Sequence, residues 1–396
     1  MFRKRTAFPA ACAVLAALLA SAPVQGQTTA NPGPSQARVA AKPAPGLAPM
    51  DKAHTFSQVL HGDKTSTLLV TALNGDTVSA IDLSEISELY SADAFDVIGR
   101  FDAAALTGLA RRPQRVRTYA VAGLLGVGPR GVAHIAAGTN YPAHGAEVGH
   151  EDAFLFPKIS AATGPRSTIV ADADGLLDYE VEVCARFDRE LRSVADFDAA
   201  RKGLFLCGDF SDRATLVKKI NLRDVGSGDG FPDAKSGPDR FPAGALLVVP
   251  RDWKSFLVEV DIATYVNGER RQYARAGDML KDLRSIVGET LDGARTRTWL
   301  FKDGRIPMVG RAAIDTGSAV LTGTGEGVVF KKPGAAVMKS VMQAKGRPGQ
   351  LAALDRYVKD EIKKRIYLQT GDRVVYGSNY LGTIETDVVA AAGGGR

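Results

Sequence analysis

The chain has 396 residues, of which 45% are hydrophobic and 24% charged, with a formal net charge of +6. That length and balance support a large core and exclude a disordered or fibrous body. The first 26 residues hold three of the positive charges and no acid, and the other basic residues are scattered except for Lys218-Lys219 and Lys363-Lys364-Arg365, so no nucleic-acid surface is expected.

The chain opens with Arg3-Lys4-Arg5, an apolar run from Ala7 to Ala22 and small residues near Val24-Gln25-Gly26. That is the pattern of a secretory signal peptide over residues 1–26. The run is shorter than the roughly 20 residues a bilayer requires. A cleaved signal and an exported, periplasmic or secreted product are expected, with no stable membrane insertion after cleavage. Residues 27–52 contain Pro32, Pro34, Pro43, Pro45 and Pro49 among small and polar residues, a composition that buries no core and predicts a disordered linker.

Residues 53–125 read as a small N-terminal subdomain. Thr67-Leu68-Leu69-Val70 and Thr77-Val78-Ser79-Ala80-Ile81 are short strand-like runs, the Asn74-Gly75-Asp76 step between them signals a hairpin, and helical spacing appears around 84–110. Residues 126–392 form the larger, strand-rich part. Strands are predicted at 131–137, 178–187, 203–209, 244–250, 256–267, 319–322, 327–330 and 373–376. A long helical pattern covers 334–366, broken at Gly346-Arg347-Pro348-Gly349. Cys184 and Cys207 sit in apolar stretches. An oxidising compartment permits a disulfide between them; two buried free thiols are the simpler reading.

Three segments carry candidate chemistry. In Leu177-Asp178-Tyr179-Glu180-Val181-Glu182-Val183, strand alternation points Glu180 and Glu182 to one face. Their mutual repulsion calls for a positive partner, and hard oxygen ligands suit Mg²⁺, Mn²⁺ or Ca²⁺. Asp209 follows the buried-looking run Leu204-Phe205-Leu206-Cys207-Gly208. His144 and Glu147 are three apart, on one face of a helical turn, as a general base for activating water requires. Taken singly, each of these also fits a polar strand face, a turn cap or a surface histidine.

Their order along the chain resembles the fumarylacetoacetate hydrolase family. The resemblance runs from Asn140-Tyr141-x-x-His144-x-x-Glu147 through Phe156-Pro157-Lys158 and Gly164-Pro165. It takes in Asp178-Tyr179-Glu180-Val181-Glu182, Asp209-Phe210-Ser211-Asp212-Arg213, Ala234-Lys235-Ser236 and Asn267-Gly268-Glu269 with Gln272. Thr322-Gly323-Thr324, Gly371-Asp372 and Leu381-Gly382 complete it. The resemblance implies an α+β fold, a mixed β-roll or β-sandwich, in a protein that is usually a homodimer. It implies Mg²⁺ or Mn²⁺ held by Glu180, Glu182 and Asp209. It places His144 and Glu147 on a mobile lid as the water-activating pair and Lys235 beside the metal. Lys158, Arg213, Thr324 and Tyr141 fall at substrate-binding positions. The implied substrates are small 2-oxo or 1,3-dicarbonyl acids. Hydrolysis of a C–C bond is the leading expectation, with decarboxylation or isomerisation/tautomerisation on the same site as the alternative. A catalytically impaired ligand-binding relative is the other reading.

The sequence departs from the family pattern at Leu216, where many relatives carry Gln, and at Gly325, where Pro is usual. Asp315-Thr316-Gly317-Ser318 stands where Pro-Gly-Asp normally precedes the strand, and an inserted helical segment follows Thr324. The same Asp315-Thr316-Gly317-Ser318 has the aspartic-protease pattern, but a protease of that kind needs a second such aspartate and the chain has no second copy. Gly126-Val127-Gly128-Pro129-Arg130-Gly131 has dinucleotide-type glycine spacing but contains Pro129 and runs into a predicted strand, where a helix is needed. Neither protease nor nucleotide binding is expected.

Overall fold

The computed structural model describes residues 45–391. The expected signal segment and most of the expected linker lie outside them. A ten-stranded sheet crosses the molecule in the order Arg117–Ala120, Thr77–Asp82, Lys64–Asn74, Ala53–His61, Leu247–Pro250, Lys202–Gly208, Val181–Phe187, Val320–Thr324, Ala133–Gly138 and Phe154–Ile159. Its neighbours pair antiparallel except Val320–Thr324 with Ala133–Gly138, which is parallel. A five-stranded sheet runs Glu269–Arg275, Asp261–Val266, Arg373–Ser378, Thr383–Ala390 and Arg166–Ala171, with its last two strands parallel. The strands Val181–Phe187 and Lys202–Gly208 of the first sheet face Asp261–Val266 and Arg373–Ser378 of the second. Val183, Leu206, Ile262, Val374 and Tyr376 are buried in one continuous core there, as two sheets with apolar inner faces require. This is the α+β, mixed-sheet architecture the resemblance implied.

The boundary expected at residue 125 does not interrupt the structure. The Asn74-Gly75-Asp76 hairpin forms, but residues 53–125 are not a separate layer. Ala53–His61 pairs with Leu247–Pro250, Phe56 opposite Leu247, so the four N-terminal strands continue the main sheet. The end of the expected linker is also docked. Gly46 N–H donates to Asn379 O at 2.8 Å, and Lys52 O accepts from Arg251 N–H at 2.8 Å.

Several predicted elements shift. The single strand expected over 178–187 is interrupted at Tyr179-Glu180, leaving Leu177–Asp178 and Val181–Phe187. Trp253–Leu257 is helical, not part of a strand over 256–267, because the Asp252 carboxylate accepts from the N–H groups of Lys254 and Ser255 and caps a turn. Residues 327–330 are a loop. Glu147 holds Gly327 N–H and Asp178 holds the N–H groups of Val329 and Phe330, so no strand partner is left for them. The helical pattern resolves into Ala335–Gln343 and Gly346–Lys364. The break falls at Ala344-Lys345, ahead of the expected Gly-Arg-Pro-Gly, because Pro348 is accommodated in the first turn of the second helix. Among the described residues no helix is long and apolar enough to cross a membrane.

The cysteines correct the free-thiol reading. Cys184 and Cys207 are fully buried and form a disulfide with Cα atoms 5.9 Å apart. They lie diagonally across two paired strands, since Cys184 stands opposite Phe205 and Cys207 opposite Glu182.

Candidate active site

Strand pairing brings the acidic residues together. Glu180 immediately precedes Val181–Phe187, Glu182 lies within it, and Asp209 follows Lys202–Gly208 on the adjacent strand. Asp209 N–H donates to Glu180 O at 2.9 Å, which closes the two strand ends. One carboxylate oxygen from each of the three residues lies within 4.8 Å of the others, and all three side chains are buried.

Each carboxylate is held by its own set of groups, with Lys235 shared between Glu180 and Asp209. Arg213, the first residue of the helix Arg213–Lys219, donates from Nε to Asp178 Oδ2 at 2.9 Å and from Nη2 to Glu180 Oε1 at 2.6 Å. Lys235, the last residue of the helix Phe231–Lys235, places its ammonium 2.7 Å from both Glu180 Oε2 and Asp209 Oδ2. Lys158 donates to Asp209 Oδ1 at 2.6 Å and to Lys235 O at 2.5 Å. Glu182 Oε2 accepts from Gly323 N–H at 2.6 Å. The ladder register shifts between Leu321 and Thr324, and Gly323 sits at φ +91, where a Cβ would meet Asn140 Cβ at 3.0 Å. This bulge turns the amide toward Glu182, and only glycine fits it.

Glu182 Oε1 has no hydrogen-bond partner although it is buried. An orphaned carboxylate oxygen facing two other carboxylates is the signature of a missing positive ligand. Burial together with Asp209 and Glu180 drives its carboxyl well above the usual range. Burial opposes ionisation of Glu180 as well, but Lys235 and Arg213 outweigh it and hold that carboxyl well below its ordinary value. Burial would lower the Lys235 ammonium, yet Asp209 and Glu180 raise it. The all-oxygen donor set and the unpartnered oxygen fit a hard divalent cation.

His144 and Glu147 lie on the helix Pro142–Val148, which Pro142 starts and left-handed Gly149 ends. His144 Nδ1 is 3.2 Å from Glu147 Oε2. Glu147 also accepts from Gly327 N–H at 3.1 Å and pairs with Lys331. Burial would raise its carboxyl, but His144 and Lys331 outweigh that and hold it lowered. An ionised Glu147 keeps the proton on Nδ1 and leaves Nε2 as an acceptor. A cavity of about 210 Å³ is lined by His144, Glu180, Arg213, Lys235 and Thr324, so the histidine and one carboxylate of the triad, Glu180, share one chamber.

The remaining expected substrate contacts are placed differently. Lys158 is fully buried, bonded to Asp209, and not among the residues lining the cavity. Tyr141 is likewise buried outside that lining, its hydroxyl pushed up by burial and by nearby Glu182. Arg213 lines the cavity with its fork already bonded to Asp178 and Glu180. Thr324 Oγ1 donates to Val181 O and accepts from Gln272 Nε2. Asp178 gains a role that had not been assigned to it: it orients Arg213 and anchors the loop that carries Phe330 to the cavity. Its place in the Asp178-Tyr179-Glu180 run was the only available signal.

Comparison with known proteins identifies the family and the fold. A family model described as fumarylacetoacetate (FAA) hydrolase C-terminal matches residues 133–389, more than half of the chain. No curated protein matches the sequence. Among solved structures, fumarylacetoacetate hydrolase from psychrophilic Exiguobacterium antarcticum is similar at TM-score 0.54 and 18% identity, covering 85% of this chain and 100% of its own. 5-Carboxymethyl-2-hydroxymuconate delta-isomerase from Mycobacterium smegmatis is similar at TM-score 0.51, 18% identity and the same coverages. Maleylpyruvate hydrolase from Sphingobium sp. SYK-6 is similar at TM-score 0.50 and 16% identity, again over 85% of this chain and 100% of that one. At these identities the likeness concerns the fold. The chain belongs to the fumarylacetoacetate hydrolase family, whose members are enzymes, hydrolases and isomerases among them.

Proposed function

We propose that the protein is a divalent-metal-dependent hydrolase that cleaves a C–C bond in a 1,3-dicarbonyl acid of the acylpyruvate type. The observation that carries this reading is one cavity lined both by His144, which Glu147 orients, and by Glu180, a member of a buried carboxylate triad in which Glu182 Oε1 has no partner. Glu180, Glu182 and Asp209 would hold Mg²⁺ or Mn²⁺. The bound ion supplies Lewis-acid stabilisation of negative charge on the 2-oxo acid.

The protein's own groups do the rest. His144 Nε2 takes a proton from water as its oxygen adds to the distal carbonyl carbon. The bond from that carbon to the central methylene breaks, its electron pair stays with the 2-oxo acid fragment, and the methylene carbon takes up the proton to become the methyl group of pyruvate. One acylpyruvate and one water give one carboxylic acid and one pyruvate. Lys235 offers a positive charge where the negative charge develops. Arg213 and Lys158 act through Glu180 and Asp209, as positioning residues.

Isomerisation of a related oxo acid is the second reading. The same pair moves a proton from one carbon to another, and a fold neighbour is named for that activity. Incubating the purified chain with Mg²⁺ or Mn²⁺ and a panel of acylpyruvates and related oxo acids, with products read by mass in ¹⁸O-water, separates the outcomes. Hydrolysis places one ¹⁸O in the released acid; isomerisation leaves the substrate mass unchanged; decarboxylation releases CO₂. We further propose that the protein acts after export, which the buried Cys184–Cys207 disulfide supports. On the family resemblance we propose that it is a homodimer, which sedimentation measures directly.

A further inference from the structure

We propose that the active-site cavity is an acyl pocket built for an apolar substituent, so that the substrate carries an aromatic ring or a medium-length alkyl chain, and not a second carboxylate. The proposal rests on the reading of the site as one for oxo acids. It concerns the far end of the substrate from the carboxylate triad.

Most of the cavity's charged groups are bonded to one another, Glu180 to Arg213 and Lys235 and His144 to Glu147, while His150, whose Nε2 has no partner among the described residues, and Lys332 also line it. Most of the remaining wall is hydrocarbon. Leu216 and Val217 come from the helix headed by Arg213, Phe231 from the helix that ends in Lys235, and Phe330 from the loop anchored by Asp178. Met338 and Leu354 complete it. These last two come from the helices Ala335–Gln343 and Gly346–Lys364, the inserted segment that had no function in the sequence.

The insertion is firmly placed. Leu354, Ala353, Val358 and Val341 pack with Ala214 and Val217 in a hydrophobic cluster of their own. It therefore packs against the helix Arg213–Lys219 as a wall. A cavity of roughly 150 Å³ lined by aliphatic side chains holds a benzene ring. The volume of about 210 Å³ here accommodates a ring together with the reacting atoms' approach. A distal carboxylate would have to leave water for this apolar lining, a costly transfer without a paired cation. Exposed Lys332 and the His150 imidazole are the basic side chains in the lining outside the Arg213–Lys235 cluster and His144.

Calorimetric titration of the Mn²⁺-loaded mature chain with 2-oxobutanoate, 4-phenyl-2-oxobutanoate and 2-oxoglutarate tests this. None of these acids is a 1,3-dicarbonyl, so binding is read apart from cleavage. The phenyl acid is expected to bind at least about 30-fold more tightly than 2-oxobutanoate, the gain from burying one ring, while 2-oxoglutarate gains nothing. Met338→Lys and Leu216→Gln should each cut the phenyl preference about tenfold; the first variant changes a half-buried side chain and keeps the test valid if the second fails to fold. Equal affinity for the three acids, or tightest binding of 2-oxoglutarate, overturns the proposal. A phenyl preference without turnover of benzoylpyruvate would instead refute the hydrolase reading and leave the pocket standing. Turnover of acylpyruvates with no preference for the apolar tail would do the reverse.

Discussion

The disulfide between Cys184 and Cys207 ties together the two strands that supply the metal-site carboxylates, two residues from Glu182 on one and two residues from Asp209 on the other. With a sequence separation of 23, closing the loop constrains the unfolded chain by about 3 kcal/mol in the entropic account. Cys184→Ser with Cys207→Ser, or reduction under native conditions, should lower unfolding free energy by about 2–4 kcal/mol. It should also weaken Mn²⁺ binding, because strand ends that move apart no longer present three oxygens together. Unchanged denaturant midpoint and metal affinity in the double variant would show that strand pairing alone holds the site.

On the proposed function His144 is a base and not a ligand. His144→Ala should lower kcat by about 10²–10⁴-fold, the range for losing a positioned general base, with metal affinity unaltered. Parallel loss of metal binding and activity would make the imidazole a ligand.

Arg213 acts through its fork, bonding Asp178 and Glu180 at once. A lysine has the charge but not the geometry. Arg213→Lys should weaken metal binding by about 10–100-fold, the usual cost of losing a residue that orients a ligand. Wild-type affinity in that variant would remove Arg213 from the positioning network.

His134 makes a pH prediction outside the active site. Its Nε2 is 2.8 Å from Ser160 O, and Nδ1 accepts from Ala319 N–H at 3.3 Å, so the ring is neutral with its proton on Nε2. Burial drives it from 6.5 down to about 4, against the opposing pull of the Ser160 carbonyl. Between those values the unfolded chain binds a proton that the folded chain does not. Stability from this residue is therefore complete above pH 6.5 and is lost as pH falls toward 4. Acidification from pH 7 to 5 should cost the wild type about 1–2 kcal/mol more than His134→Gln. Equal acid sensitivity in the two proteins would contradict a buried neutral imidazole.

Much of the site was legible in the sequence because chemistry leaves spaced polar residues. Glu180, Glu182, Asp209, His144, Glu147, Lys235 and Arg213 stand in short motifs on elements whose pairing brings them together. The roles of Lys158 and Thr324 were less legible, since a motif shows that a cation or hydroxyl is near the site and not which atom it bonds. The disulfide stayed open because Cys184 and Cys207 lie on different strands, and only their register makes them diagonal neighbours. The N-terminal strands looked separate for the same reason: pairing of Phe56 with Leu247 is a long-range contact with no local signal. The apolar wall was the least visible part. Leu216, Phe330, Met338 and Leu354 read individually as ordinary core or helix residues, and only the fold brings them to one cavity.

On the proposed function Glu180, Glu182 and Asp209 form a divalent-metal site on which the hydrolysis depends. Metal-stripped wild type and Glu182→Ala should be titrated with Mn²⁺ by calorimetry, and acylpyruvate cleavage followed at each addition. The wild type should bind one ion per chain and gain activity in step with it, while Glu182→Ala binds at least about 100-fold more weakly, beyond the 10–100-fold typical of a residue that only orients a ligand, and stays inactive. Full cleavage by Glu182→Ala, or by wild type held in excess chelator, would contradict the account.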